Sequence, residues 1–146
     1  MPPTESANRI LAEHYRYLTD TVRIEAFRKA LAGAVTPSDV VLDLGCGTGV
    51  LGFLAVEAGA RTVIGIEQSG LIQVARTTAS RLGLGSRTHY VRGHSTAVSV
   101  SPKATLLVCD QLDPLGFEAG LLESVADARR RLLTLDAKFV PAAFET

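Results

Sequence analysis

The spacing of apolar residues changes along the chain, and these changes predict which segments are helices and which are strands. From Leu11 to Ala26 apolar side chains recur three or four positions apart, which predicts one long helix over residues 6–32. The rest of the chain alternates short apolar runs with helical patterns. We therefore predict five strands and three further helices. The strands are Val40–Leu44, Thr62–Glu67, Thr88–Arg92, Ala104–Cys109 and residues 138–141, and the helices are residues 50–58, 71–82 and 116–133.

Strands that consist almost entirely of Val, Ile and Leu are typical of a parallel sheet covered by helices on both faces. We expect an α/β, Rossmann-like fold in a single domain, with about five mostly parallel strands in residues 36–146. An N-terminal helix within residues 1–35 precedes this core. Because ligands of such sheets bind beyond the carboxyl ends of the strands, the residues that follow each strand are the candidates for a site.

The segment after the first strand, LDLGCGTGVLG (residues 42–52), contains two overlapping glycine patterns. Residues 47–52 fit G-x-G-x-x-G, typical of dinucleotide sites, and residues 45–49 fit G-x-G-x-G, with Asp43 just before. A carboxylate at Asp43 would repel a dinucleotide diphosphate and attract the amino group of S-adenosylmethionine, so we favour that cofactor over NAD. Glu67, at the end of the second strand, would bind the ribose of either. A glycine turn that only lets strand and helix pack is the third alternative.

Composition and charge exclude several classes of protein. The 146 residues are 47% apolar and 21% charged, and their net charge of zero gives no basic field for nucleic acid. The basic cluster at residues 129–131 lies in a helical pattern and is interpreted as a solvated face. The cysteines and histidines lack zinc-ligand spacing, so no metal is predicted. No signal-like start or membrane-length apolar run is present, so we expect a cytoplasmic protein without a membrane partner.

Two segments resemble the protein arginine methyltransferases, which are class I methyltransferases that use S-adenosylmethionine. Residues 40–69, VVLDLGCGTGVLGFLAVEAGARTVIGIEQS, are similar to the first two motifs of that family almost throughout. Residues 14–27, HYRYLTDTVRIEAF, are similar to its upstream H-x-x-M-L-x-D-x-x-R-T-x-x-Y segment. The departures from that segment are Tyr17, Ile24 and Phe27. Together with the region after the fourth strand, the resemblance covers about residues 10–142.

The resemblance implies roles for residues of the cofactor site. Arg23 would pair with the carboxylate of S-adenosylmethionine, and His14 would lie against the bound cofactor. Asp43 and Gly45 would hold its methionine part, and Glu67 would accept hydrogen bonds from both ribose hydroxyls. The other glycines of the motif are Gly47 and Gly49.

The adenine contact is where this sequence departs from the family. The acid that contacts adenine follows the third strand in family members, and Thr96 stands at that position here. We therefore expect backbone groups or His94 to contact adenine instead.

The same resemblance implies two catalytic residues. Family members carry two glutamates in a loop after the fourth strand, and these hold the substrate guanidinium. Asp110 stands at the first of these positions and Glu118 at the second, with the side chain of Asp110 one methylene shorter than glutamate. The implied function is methylation of a protein or small-molecule acceptor, with a guanidino nitrogen as the expected group. The alternative is a cofactor- or partner-binding module with little or no catalysis.

Family members continue beyond the residue that corresponds to Pro141 into further strands and a β-barrel. The resemblance therefore implies a truncated core in which the edge of the fifth strand is exposed. Because an exposed edge presents unpaired backbone groups, we expect it to pair with a second copy or with a partner chain.

Overall fold

The computed structural model describes residues 4–111 and 120–143, which contain a five-stranded sheet. Its strands are β1 (Val40–Leu44), β2 (Thr62–Glu67), β3 (Thr88–Arg92), β4 (Ala104–Cys109) and β5 (Leu133–Val140). They lie in the order β3-β2-β1-β4-β5, and every strand pair in these ranges is parallel. The predicted α/β class is confirmed. The chain reverses its direction across the sheet between β3 and β4, so the switch point lies at the carboxyl ends of β1 and β4, where such sheets bind ligands.

The described residues also form five helices: α1 (Glu5–Thr19), α2 (Thr21–Ala34), α3 (Val50–Glu57), α4 (Ile72–Arg81) and α5 (Leu121–Arg131). The N-terminal segment is helical as predicted, but the single helix over residues 6–32 is wrong because the chain breaks at Asp20. The carboxylate of Asp20 caps α2 by accepting a hydrogen bond of 3.0 Å from the backbone N–H of Arg23. The apolar periodicity runs through this break and therefore hides it from a reading of the sequence.

The sheet separates two apolar layers because successive side chains of a strand point to opposite faces. Leu42 and Leu44 of β1 pack on one face in a cluster that includes residues of α5. Val41 packs on the other face with Leu31 of α2 and Leu54 of α3. Helices therefore cover both faces of the sheet. Because Asp43 alternates with Leu42 and Leu44, its side chain lies on the face of the sheet that α3 covers. It is the residue before the last one of β1, just before the glycine segment.

The boundaries of the last two elements differ from the prediction. Helix α5 ends at Arg131, and β5 begins at Leu133 instead of residue 138. Leu133 is buried and continues the apolar pattern of the helix, whereas Leu135 and Asp136 are exposed, so the start of this edge strand does not look like an apolar run. The predicted start of the helix at residue 116 lies outside the described residues. Within the described part of the chain, no helix is long and apolar enough to cross a membrane.

Candidate functional site

The glycine loop, residues 45–49, connects β1 to α3 and is shaped by backbone angles that only glycine adopts readily. Gly45 and Gly47 have φ of +69° and +52°, in the left-handed region. A Cβ on Gly45 would collide with the side-chain amide of Gln111, and one on Gly47 would lie 2.6 Å from His14 Cε1, so either would force the neighbouring side chain to move. Gly49, with φ of +86°, begins α3 as its N-cap. The loop is therefore a tight bend that neighbouring side chains approach closely.

Glu67 lies beside this loop, at the carboxyl end of β2, in a fixed orientation. Its Oε2 accepts a hydrogen bond of 2.8 Å from the backbone N–H of Gly47, and its Oε1 accepts one of 2.8 Å from the N–H of Ser69. Each carboxylate oxygen keeps a second lone pair for another donor. The two backbone contacts hold the carboxylate in place, so it can accept hydrogen bonds from a pair of hydroxyl groups without reorganising.

Asp43 is the second acid of the site and is only 2% exposed. Its Oδ2 accepts a hydrogen bond of 2.9 Å from the backbone N–H of Gly52, which ties β1 to the first turn of α3. Burial raises the pKa of Asp43 to about 7; the Gly52 hydrogen bond opposes this shift, and the charges of Asp110 and Glu67 add to it. Because burial destabilises the ionised form of Asp43, a cationic group of a ligand placed beside the carboxylate would stabilise that form.

These two acids line a cavity of about 370 Å³ at the carboxyl edge of the sheet. Its other walls include the glycine loop, Asp110 at the end of β4, and residues of α1 that contribute His14, Tyr17 and Leu18. A smaller cavity of about 60 Å³ lies on the far side of Glu67, against the residues that follow β3. Glu67 contributes to both cavities, so an elongated ligand that spans them would pass its carboxylate. The larger volume falls within the range of pockets for small molecules and cofactors.

Arg23 and Asp110, which are 87 residues apart in sequence, form an ion pair beside the larger cavity. The guanidinium of Arg23 also lies 4.7 Å from the ring centroid of Tyr17, so it is held on two sides. Burial raises the pKa of Asp110, and the Arg23 guanidinium opposes this shift. Asp110 lines the cavity, and Arg23 is not among the described residues that line it. Two residues predicted for different ligands are thus in direct contact with each other.

Gln111 is a residue of the site that the sequence did not predict. Its side-chain amide lies over Gly45, and the residue lines both cavities. The one sequence signal for Gln111 was its position directly after Asp110, just beyond the carboxyl end of β4.

In the segment after β3, His94 and Thr96 contact each other. The hydroxyl of Thr96 lies 2.7 Å from His94 Nδ1, and the Thr96 N–H donates to the same nitrogen at 3.3 Å. His94 lines the smaller cavity. Glu118, the second predicted catalytic residue, lies outside the described residues.

Comparisons with known proteins show what this chain is similar to. Residues 36–92 match the family model described as a methyltransferase domain. The chain is 31% identical over 133 residues to the ribosomal protein arginine N-methyltransferase rmt3 of Schizosaccharomyces pombe, covering 88% of this chain and 24% of that protein. It is 29% identical over 123 residues to protein arginine N-methyltransferase 1 of Saccharomyces cerevisiae, covering 82% of this chain and 35% of the relative.

The fold is shared with solved structures of such enzymes. The structure of the Trypanosoma brucei PRMT1 enzyme–prozyme heterotetrameric complex with AdoHcy matches with a TM-score of 0.80 and 30% identity, covering 86% of this chain and 40% of that chain. The present chain thus spans between about a quarter and two fifths of the length of these relatives. Over most of its length the chain has the class I, Rossmann-like methyltransferase fold and is similar to part of the protein arginine methyltransferases.

Proposed function

We propose that this chain binds S-adenosylmethionine and takes part in methyl transfer, most similarly to the protein arginine N-methyltransferases. One observation carries the proposal. A loop whose glycines adopt positive φ and two acids, Asp43 and Glu67, line the same cavity at the switch point of the sheet. The named relatives support it, and one of them is described with AdoHcy bound. Asp43 disfavours NAD, because the diphosphate of NAD would lie against its carboxylate.

The residues present match the chemical groups of S-adenosylmethionine. Asp43 offers a carboxylate for the ammonium group, and Glu67 offers oriented oxygens for two ribose hydroxyls. Gly45, Gly47 and Gly49 let the backbone approach the ligand, and His14 lies against Gly47 from the α1 side. Arg23 supplies a guanidinium fork for the carboxylate of the cofactor, next to its present partner Asp110.

The cofactor supplies an electrophilic methyl group on a sulfonium centre, and the leaving thioether is neutral. The protein therefore contributes mainly by positioning. Asp43 and Glu67 fix the cofactor at both sides of the glycine loop. Asp110 lies on the wall of the same cavity, so its carboxylate can accept a hydrogen bond from an acceptor N–H and orient the nitrogen. Glu118 is proposed to provide the second carboxylate for a guanidino group.

The acceptor that we propose is a protein or small-molecule guanidino nitrogen. A pair of carboxylates suits a planar cation, because each can accept N–H groups from one edge of it. We also propose that the edge of β5 pairs with a second copy or a partner chain, because only β4 pairs with it in the described part of the chain. We further propose a cytoplasmic location.

The Arg23–Asp110 ion pair supports a second candidate function, a cofactor-binding module with little or no catalysis. While Arg23 holds Asp110, that carboxylate is partly neutralised and is less able to bind a cationic acceptor. Transfer of a labelled methyl group to arginine peptides and to small guanidines separates the two functions. Cofactor binding without transfer to any acceptor would favour the module.

Calorimetry with S-adenosylhomocysteine tests cofactor binding. We expect the wild-type chain to bind it and Glu67→Gln to bind it about 100-fold more weakly, because the amide NH₂ cannot accept the backbone N–H that one carboxylate oxygen now accepts. Glu57→Gln is the matched control, because Glu57 is an exposed acid of α3 that contacts Arg28 away from the cavity. Equal affinities for wild type and Glu67→Gln, or binding of NAD in place of S-adenosylhomocysteine, would refute the proposal.

A further inference from the structure

Arg131, the last residue of α5, is not part of a solvated basic face. Its Nε donates to Asp127 Oδ1 at 2.8 Å, and its NH2 group contacts the other oxygen of the same carboxylate. The guanidinium then reaches across to two backbone carbonyls, with NH1 at 3.0 Å from Val98 O and NH2 at 2.9 Å from Ser95 O. One side chain thus joins α5 to a loop more than thirty residues earlier in the chain.

This loop, residues 93–98, follows β3 and has few other hydrogen bonds to the rest of the fold in the described structure. At its start the N–H of Gly93 donates to Glu67 O at 3.1 Å, and inside it the N–H of Ala97 donates to His94 O at 2.9 Å. A Cβ on Gly93 would lie 2.7 Å from Val98 Cγ1, so a side chain there would force the two ends of the loop to shift. Val98 also packs against the apolar cluster that includes Leu121 and Ala128 of α5. Arg131 supplies the hydrogen bonds that tie the carbonyls at the middle and the end of the loop to α5.

The loop matters because it forms one wall of the site. Gly93, His94 and Ser95 line the smaller cavity, together with Glu67 on its other side. If Glu67 binds the ribose, the base that the ribose carries extends into this cavity and against loop 93–98. The position of the loop backbone then determines which donors and acceptors the base meets.

We propose that Arg131 is a positioning residue for the purine end of the cofactor site. Its guanidinium, oriented by the bidentate contact with Asp127, holds the carbonyls of Ser95 and Val98 and so presets the wall that the base contacts. The inference rests on the proposed cofactor binding. Arginine suits the task because its planar fork serves a carboxylate and two carbonyls at once, which a lysine ammonium cannot do with the same geometry.

Two variants and one control test the proposal. Arg131→Gln removes the guanidinium, and Arg131→Lys keeps the charge but not the fork, which guards against a variant that fails to fold. Arg130→Gln is the control, because Arg130 is 74% exposed and its contact in the described structure is the same Asp127, with no bond to the loop. Hydrogen exchange of the backbone amides in loop 93–98 is measured without ligand. We expect faster exchange in both Arg131 variants and wild-type exchange in Arg130→Gln.

Binding of two ligands locates the effect. S-Adenosylhomocysteine carries both the purine and the amino acid, whereas 5′-methylthioadenosine carries the purine and ribose without the amino acid. We expect both Arg131 variants to bind each ligand about tenfold more weakly than wild type, since both ligands need the purine wall. The measurements are made well below the melting temperature of each variant, so a loss of stability alone would leave the affinities unchanged.

The outcomes separate the inference from the proposed function. If wild type binds neither ligand, the proposed function fails and the inference fails with it. If wild type binds both and the Arg131 variants bind them equally well, or show unchanged exchange in loop 93–98, the inference alone is overturned. A loss confined to S-adenosylhomocysteine would also overturn it, because the effect would then lie at the amino acid end.

Discussion

The pKa of Asp43 makes cofactor binding depend on pH. Its folded value of about 7 lies above the value of 3.8 for an unperturbed aspartate, so at pH 6 most of the folded protein carries a protonated Asp43. The stability that the neutral form contributes is present below the unfolded pKa and is lost as pH rises through about 7. The ammonium group of S-adenosylmethionine needs the ionised form of Asp43, so we expect the affinity to rise about fivefold from pH 6 to pH 7, below the range in which the amino group of the ligand itself loses its proton. Calorimetry at several pH values measures this.

The Asp43→Asn variant provides the control for that dependence. An amide does not titrate, so this variant should bind weakly at every pH with a flat profile. At pH 6 the wild type should also release protons on binding, which makes the measured enthalpy depend on the ionisation enthalpy of the buffer. A wild-type affinity that is constant from pH 6 to pH 7 would show that Asp43 does not contact a cation.

At the level of single residues, the sequence predicted what lies within a motif and missed what the fold brings together. The glycines and Glu67 are near one another along two consecutive strands, so their proximity follows from the βαβ connection. The contacts of Arg23 with Asp110 and of Arg131 with Ser95 join residues 87 and 36 positions apart. Such pairs depend on the register and packing of separate elements, which periodicity does not specify.

The break between α1 and α2 gives a test at the level of elements. Asp20 caps α2, whose Leu31 is buried in the core, so Asp20→Ala should lower the free energy of unfolding by about 1 kcal/mol. Thr4 caps α1 in the same manner, accepting a bond of 3.2 Å from the N–H of Ala7, but no residue of α1 is buried in the described structure. Thr4→Ala should therefore leave global stability almost unchanged. Urea unfolding curves compare the two.

Equal losses of unfolding free energy in the two variants would contradict this prediction, because they would mean that α1 unfolds together with the core.

The same pair of helices explains a limit of sequence prediction. Leu11, Tyr15, Leu18 and Val22 follow the helical period that predicts this segment, yet all four are exposed in the described structure. Periodicity identifies an apolar face, but whether another element covers that face depends on the rest of the assembly.

At the scale of the whole molecule, Asp39 joins elements that are distant in sequence. It lies between α2 and β1 and accepts hydrogen bonds from Thr36, from Thr105 of β4 at 2.7 Å and from Lys138 of β5 at 2.7 Å. Lys138 also donates to the carbonyl of Ala34 at the end of α2. Burial alone would raise the pKa of Asp39, but these hydrogen bonds outweigh it and lower the value to about 2. The ionised carboxylate therefore stabilises the folded state.

The direction of the pKa shift of Asp39 sets the pH range over which its carboxylate stabilises the fold. Because the folded pKa lies below the unfolded value of 3.8, the contribution of about 2 kcal/mol is fully present above pH 4 and is lost as pH falls towards 2. Asp39→Asn should lower the free energy of unfolding at pH 7, and the gap to wild type should narrow by about 1 kcal/mol at pH 3. Glu25→Gln, at an exposed acid of α2 that pairs with Arg28, should show almost no gap at either pH. Urea unfolding at both pH values tests this, because a gap for Asp39→Asn that stays constant would mean that the charge of its carboxylate does not stabilise its contacts with β4 and β5.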